Sequence, residues 1–298
     1  MPDVRRRLAA TALAAILAGG IFAPPAHATA PSDASTAPRG TGTAPRGTGG
    51  GPLGHARHTT DVDVLYAASL TEVMETKIGP AFDKATGYHF VGFPGGSKSL
   101  ATQIRSHLQA ADVFISASPA VDKTLEGRIN GNWVSAYTVF GRTYLELGYD
   151  RTSKFAGQLR SKPWYEVVVE PGFRLGRTDP AVDPKGVLAQ KVLDEAAAQH
   201  HLPALKSLAE TASDVFPEES LVGRLQAGQL DAGFFYQVEV VAAHLPSVPL
   251  TGYRFAATYT YAVVNRALHR NGARAFVRFL TEPGTRATLA RDGLGSAG

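Results

Sequence analysis

Two serines stand at equivalent places in successive strand-to-helix junctions. Ser69 follows the apolar run "VDVLYAA" (62–68), and Ser97 follows "HFVGFPGG" (89–96). A helix N-terminus carries unpaired N–H groups and a partial positive charge. A serine there can add its hydroxyl, so hydroxyl and backbone N–H groups converge on one oxyanion. Each hydrogen bond to a charged group is worth roughly 1.5–3 kcal/mol. Several neutral donors can therefore hold a small dianion without Lys or Arg, and Lys98 is expected to face solvent. Gly95 and Gly96 would let backbone approach the ligand closely. The competing role is structural. Serine is a common N-cap, and "SLTE" (69–72) has the form of a capping box with Glu72. The equivalent placement of the two serines is what favours the binding role.

Two carboxylates could complete such a site. Asp179 in "RTDP" and Glu218 in "FPEES" lie at predicted helix openings. There they serve either as caps and dipole partners, worth tenths to about 1 kcal/mol, or as ligands to a metal centre. A carboxylate that does not coordinate would repel an oxyanion. Tyr236 in "GFFYQVE" ends an apolar strand, as a core aromatic or as a ligand contact.

Other chemistries are poorly supported. "GGSKS" interposes Ser97 between Gly96 and Lys98, so the Gly-Lys-Ser/Thr of a phosphate-binding loop is missing. A serine hydrolase needs a histidine base and an oriented acid, and no motif supports His89, His107, His200, His201, His244 or His269. The His200-His201 pair at a helix end suits the helix dipole better than a metal. Cysteine is absent, which removes disulfides, thiolate metal sites, a Cys nucleophile and a lipidated Cys.

Strands and helices alternate around these residues. Strands are expected at 62–68, 89–93 and 111–118, with helices from Ser69 to about Thr86, stopped by Gly87, and over 99–109. A strand at 143–150 leaves this region, and "RLGRTDP" (174–180) is a strand end. A helix spans 183–200 with Asp183 as N-cap and Pro184 at its first position. Another opens at Pro217, and "LDAGFFYQVEVVA" (230–242) starts as a strand and then turns. A strand at 254–264 carries the chain back, and two short C-terminal helices are split at Pro283-Gly284. The pattern predicts an α/β fold with doubly wound, mostly parallel sheets. The expected organisation is lobe 1 over 61–142 and 256–298 and lobe 2 over 143–255, with two crossings forming a hinge around a ligand crevice.

The N-terminus differs in kind. Arg5, Arg6 and Arg7 precede a short apolar stretch and "AHA" (26–28), which reads as a signal peptide over 1–28. Residues 29–60 repeat "TAPRGTG" and are expected to form a disordered tether. His55 and His58 within it are a weak metal motif. The formal charge of +4 arises in these ends, and residues 61–298 are neutral. A neutral folded part argues against nucleic acid as a partner.

The motifs "YAASLTEV", "GGSKSLATQI", "ADVFISAS" and "AGQLDAGFFYQVE" resemble the molybdate-binding periplasmic proteins of ABC importers. "YLELGYDRTSKF", "WYEVVVEPGFRLGRTDPAVDPKG" and "FPEESLVGRLQAGQLD" are similar to the tungstate/molybdate-binding subclass. The resemblance covers about 62–294. It implies a type II two-lobed periplasmic-binding-protein fold, exported and not an enzyme. The bound ligand would be molybdate or tungstate, with no cofactor, and the partner a membrane permease, the protein itself being a monomer. By the resemblance, Ser69 and Ser97 donate to oxyanion oxygens, Asp179 and a glutamate after "FP" coordinate Mo or W, and Tyr236 stands near the site. Spacing back from "AGQLD" favours Glu218 over Glu219. The proline-rich tether and the missing anchor Cys depart from the family pattern. Alternatives are the same fold binding sulfate or another oxyanion, a secreted serine-dependent hydrolase, or an added surface-interaction role for the tether.

Overall fold

The computed structural model describes residues 60–296. The expected signal peptide and all of the expected tether except Thr60 lie outside the described residues.

Strand β1 (Asp61–Ala67) is buried along its whole length. Val64 and Tyr66 enter one apolar cluster with Val73, Met74 and Phe276, while Leu65 enters another with Leu100, Ile104 and Phe114. A strand covered on both faces reads as an unbroken apolar run, which is why "VDVLYAA" shows little alternation. Strands β2 (His89–Gly95) and β3 (Val113–Ser116) pair with it in parallel.

The longest strand, β4 (Thr138–Tyr149), links the two halves of the molecule. In the second half stand β5 (Leu175–Gly176), β6 (Ala232–Tyr236) and β7 (Ser247–Pro249), before the chain returns through β8 (Ala256–Val263). The N-terminal part of β4, from Thr138 to Tyr144, pairs with β8, whereas Leu145 to Tyr149 pair with β6. The strand order is β2-β1-β3-β8-β4-β6-β5, with β7 also on β4. Parallel pairing, as expected, joins β2, β1 and β3, and again β5 and β6. The pairs made by β4 and β8 are antiparallel, because one strand carries the chain out of the first half and the other brings it back.

Local chemistry explains most element boundaries. The chain from Ala68 to Thr86 is helical throughout but irregular, with a 3-10 turn at Ala68–Leu70 and a π segment at Met74–Ile78. The π segment lies just before Pro80, which has no N–H for the Thr76 carbonyl. Gly87 ends the run at φ 74°. The expected capping box does not form. Ser69 sits inside the 3-10 turn, and its Oγ lies 2.6 Å from the Tyr259 hydroxyl instead of capping backbone. The Pro184–His200 helix opens as read, with Asp183 Oδ1 accepting from the Lys185 N–H at 3.1 Å. The C-terminal helices, Arg270–Thr281 and Pro283–Arg291, are split at Pro283. Among the described residues no helix is long and apolar enough to cross a membrane.

Candidate functional site

The halves meet where the Ser97–Arg105 helix faces the loop leading to Asp183. The Lys98 and Ser99 N–H groups both donate to the Val182 carbonyl, at 3.1 and 3.2 Å. A Cβ on Gly96 would stand 2.7 Å from that same oxygen, so glycine is required here by an approaching backbone. Lys98 does not face solvent. Its Nζ donates to the Pro180 carbonyl at 2.7 Å. Two N–H groups expected to hold an oxyanion thus hold the opposite half of the protein.

Beside this contact lies a cavity of about 330 Å³, lined among others by Gly96, Ser99, Thr178, Asp179, Asp183 and Glu218. The two expected carboxylates therefore share one cavity, but in different states. Asp179 is half-buried, and its Oδ1 accepts from the Ala181 N–H at 2.8 Å in a local turn. Glu218 is buried at the first position of its helix, and its Oε2 has no hydrogen-bond partner. Glu219 also lines the cavity and is exposed.

Three residues outside the expected ligand set complete the polar cluster. Asp183 caps its helix with Oδ1, while the buried Oδ2 is unpartnered. Lys185 is fully buried. Its Nζ donates to Glu239 Oε1 at 2.6 Å and lies 3.3 Å from Glu218 Oε1. Glu239 in turn accepts the Tyr236 N–H through Oε2 at 2.7 Å. One ammonium thus faces three buried carboxyl groups. The Lys185 Nζ also lies over the Tyr236 ring, 5.7 Å from its centroid. "DPKG" did hold a signal for Lys185, since a cation in the first turn of a helix opposes the helix dipole.

Ionisation follows from this crowding. Burial, and then the neighbouring Asp183, push the Glu218 carboxyl well above its usual range despite the pull of Lys185. Asp183 is raised by burial, against the pull of Lys185. Burial works against the Lys185 charge, but Glu239, Glu218 and Asp183 outweigh it and raise that pKa too. The Tyr236 hydroxyl is fully buried without a partner, and burial followed by Asp183 holds it protonated well above the usual tyrosine range. Tyr259 packs edge-on against Tyr236 at 6.2 Å and bonds Ser69. Ser69, Tyr259, Tyr236, Lys185 and Glu218 thus form a continuous buried chain from the first half to the cavity. Ser97 is also buried, but its Oγ accepts from the Ala117 N–H at 3.1 Å, leaving only its own O–H to give.

Of the expected site residues, Asp179 and Glu218 line the cavity and Ser69, Ser97 and Tyr236 do not, so the cavity between the two lobes offers the Thr178 hydroxyl and unpartnered carboxyl oxygens, with the buried tyrosines behind them. It suits a small polyoxygen solute. The match to the bacterial extracellular solute-binding protein model spans residues 62–295, and the chain belongs to that family. A chain of Haloferax volcanii described as a molybdenum-binding protein of an ABC transporter is 26% identical over 66% of this chain and 62% of its own length. The periplasmic molybdate-binding protein of Azotobacter vinelandii matches in structure with TM-score 0.62 and 18% identity, over 78% of this chain and 98% of that one. The sulfate-binding protein SubI of Mycobacterium tuberculosis matches with TM-score 0.61 and 16% identity, over 80% and 87%. These structural likenesses establish the two-lobed α/β fold.

Proposed function

We propose that this protein is the exported solute-binding component of an ABC importer and captures molybdate or tungstate between its lobes. The lobes are residues 61–142 with 256–298, and residues 143–255. The observation that carries the reading is the set of buried polar atoms without partners: Asp183 Oδ2, Glu218 Oε2, Thr178 Oγ1 and the Tyr236 hydroxyl. Leaving such a group unsatisfied costs about 1–3 kcal/mol, more when charged. An arriving solute that satisfies several at once recovers that cost. Tyr236, Thr178, Ser69 and Ser97 offer hydroxyl donors. Carboxyl oxygens of Glu218, and of Asp179 or Asp183, suit a metal centre able to widen its coordination. Sulfur in sulfate cannot do so, and its oxygens carry no proton for a carboxylate. The molybdenum-binding relative and the molybdate-binding structural neighbour support this choice. The protein acts without catalysis and without a cofactor, as a monomer that delivers its ligand to a membrane permease.

The same unpartnered acceptors favour a second reading, a tetrahedral oxyanion that carries a proton, such as hydrogen phosphate. Thermal unfolding with molybdate, tungstate, sulfate and phosphate in turn separates them. At a thousandfold excess over Kd, a bound oxyanion adds about 4 kcal/mol of stability. Stabilisation by molybdate or tungstate with none by sulfate is expected. A shift with phosphate alone selects the second reading, and no shift with any of them ends both. Glu218→Gln weakens binding, and comparing Asp179→Asn with Asp183→Asn identifies the second carboxylate.

A further inference from the structure

The parallel strands of the first half run with their C-terminal ends toward the cleft, where Ser69 follows β1 and Ala117 follows β3, while Asp63 and Asp112 lie near the opposite pole. At the cleft end the Ser97–Arg105 helix starts against the second half of the protein. The first N–H groups of a helix have no intrahelical acceptor. Here two of them, on Lys98 and Ser99, are taken by the Val182 carbonyl. The Ser97 hydroxyl oxygen accepts the Ala117 N–H and ties the helix start to the end of β3.

The loop on the other side is built to present acceptors. Asp179 folds it on itself: its Oδ1 accepts the Ala181 N–H at 2.8 Å, and its carbonyl accepts the N–H groups of Val182 and Asp183 at 3.2 and 2.9 Å. Pro180 has no N–H to give. Every N–H from Ala181 to Asp183 is thus spent within the loop. The carbonyls of Pro180 and Val182 are met from the first half, by the Lys98 Nζ and by the two N–H groups. All of these bonds join protein groups. None uses Glu218, Asp183 Oδ2 or the Tyr236 hydroxyl, the groups left open for a solute. The contact also borders two cavities. Gly96, Ser99, Val182 and Asp183 line the carboxylate cavity, and Lys98, Ala181 and Pro184 line another of about 630 Å³.

We propose that Lys98 and this helix start form a latch that closes the two halves before a solute arrives, and so set how fast it enters and leaves rather than how tightly it is held. A contact made equally in the empty and the loaded closed forms adds no differential affinity. It raises the barrier that entry and exit both cross, because the solute passes only when the halves part. The halves join at one step of β4, where Tyr144 pairs with β8 and Leu145 with β6. The latch itself does not depend on which solute the cleft binds, whereas its kinetic consequence rests on the oxyanion reading.

Amide hydrogen exchange of the full chain without solute tests the latch directly. The Lys98 and Ser99 N–H groups should be protected, since their acceptor belongs to the opposite half. Leu100, whose N–H bonds the Gly96 carbonyl within the helix at 3.0 Å, is the internal reference. Lys98→Met should lower the protection of Ser99 roughly ten- to a hundredfold, the worth of a hydrogen bond from a charged group. Gly96→Ala should remove it, since the added Cβ meets the Val182 oxygen at 2.7 Å while φ −61° suits alanine. Leu100 stays protected in both variants, which separates an open latch from a frayed helix. In stopped-flow with molybdate or tungstate, association and dissociation of Lys98→Met should both quicken by about that factor, at nearly unchanged Kd. Fast exchange at Lys98 and Ser99 in the empty parent overturns the proposal, as does protection of Ser99 unchanged in both variants. Unchanged rates overturn it too. So does faster dissociation alone, because the contact then forms only after the solute has closed the halves. If neither oxyanion binds, the oxyanion reading fails while the exchange experiment still decides the latch.

Discussion

Two groups of buried acids invite comparison, one at the cleft and one at the opposite pole. Asp63, Asp112 and His269 place their ligand atoms within 4.8 Å of one another, close enough to suggest a metal. Yet Asp112 Oδ2 accepts the Asp63 N–H at 3.0 Å, Oδ1 accepts the His269 N–H at 2.9 Å, and His269 Nδ1 lies 3.0 Å from Oδ2. That carboxylate is used up in tying β1, β3 and the Arg270–Thr281 helix together. The cleft group has the opposite bookkeeping, with acceptors on Asp183 and Glu218 left over. Proximity of acids alone does not separate a latch from a binding site. The difference lies in whether their lone pairs are already taken.

Lys185→Met should have the largest effect. It removes the ammonium paired with Glu218 and Glu239, and breaking a buried ion pair from one side costs about 3–5 kcal/mol. Denaturant unfolding measures it. Adding Glu239→Gln should recover part of the loss. A loss below 1 kcal/mol would mean that the cleft carboxyls already hold protons and need no counter-ion.

Asp122 tests whether an unpartnered oxygen is by itself a mark of function. It is buried, one oxygen accepting from Thr260 and the other free, and it does not line the carboxylate cavity. Burial pushes its pKa up to about 7 from 3.8, against the Thr260 hydrogen bond. The folded-state pKa is the higher one, so its stability contribution is complete below pH 4, declines between pH 4 and 7, and is absent above. At about 1.4 kcal/mol per unit the span is on the order of 4 kcal/mol. Asp122→Asn should flatten that part of the profile and leave oxyanion affinity unchanged. A change in affinity would extend the site beneath β8.

Asp112→Ala probes the saturated group. It strands the Asp63 and His269 N–H groups, each at about 1–3 kcal/mol. Stability should fall by about 3 kcal/mol without change in oxyanion affinity. Stabilisation of the parent by added zinc, lost in the variant, would instead make this pole a metal site and dissolve the contrast.

How much of this was legible in the sequence divides along the same line. The strand-helix alternation, the Gly87 stop and the Asp183-Pro184 helix start follow from local chemistry, and the structure contains them. Glu218 stands at the helix opening that Pro217 and the paired glutamates announce. The pairing of Lys185 with Glu239 has no such local sign, because they meet across 54 positions of sequence, nor has that of Tyr259, which bonds Ser69 across 190. Asp183 shows the limit most clearly. Its cap role was readable from "DPKG", but a cap employs one oxygen, and nothing local tells where the other points. The capping box that "SLTE" fits does not form, because the return of β8 brings Tyr259 to the Ser69 hydroxyl.

The smallest effect on stability falls on the residue where the contrast is sharpest. The Tyr236 hydroxyl is buried and unpartnered, whereas that of Tyr259, packed against it, is bonded to Ser69. Tyr236→Phe removes an unsatisfied polar atom and leaves the ring, so the ligand-free protein should keep its stability or gain up to about 1 kcal/mol. Tyr259→Phe strands the Ser69 hydroxyl and should lose about 1 kcal/mol. Binding reverses part of the order. A hydroxyl held ready for a charged ligand contributes about 1.5–3 kcal/mol once the ligand arrives, so Tyr236→Phe should weaken molybdate or tungstate by roughly ten- to a hundredfold. Calorimetric titration and thermal unfolding of both variants read the two effects separately. If Tyr236→Phe destabilises the empty protein and leaves affinity intact, its hydroxyl serves the fold, and a buried unpartnered atom no longer by itself marks a place for the solute.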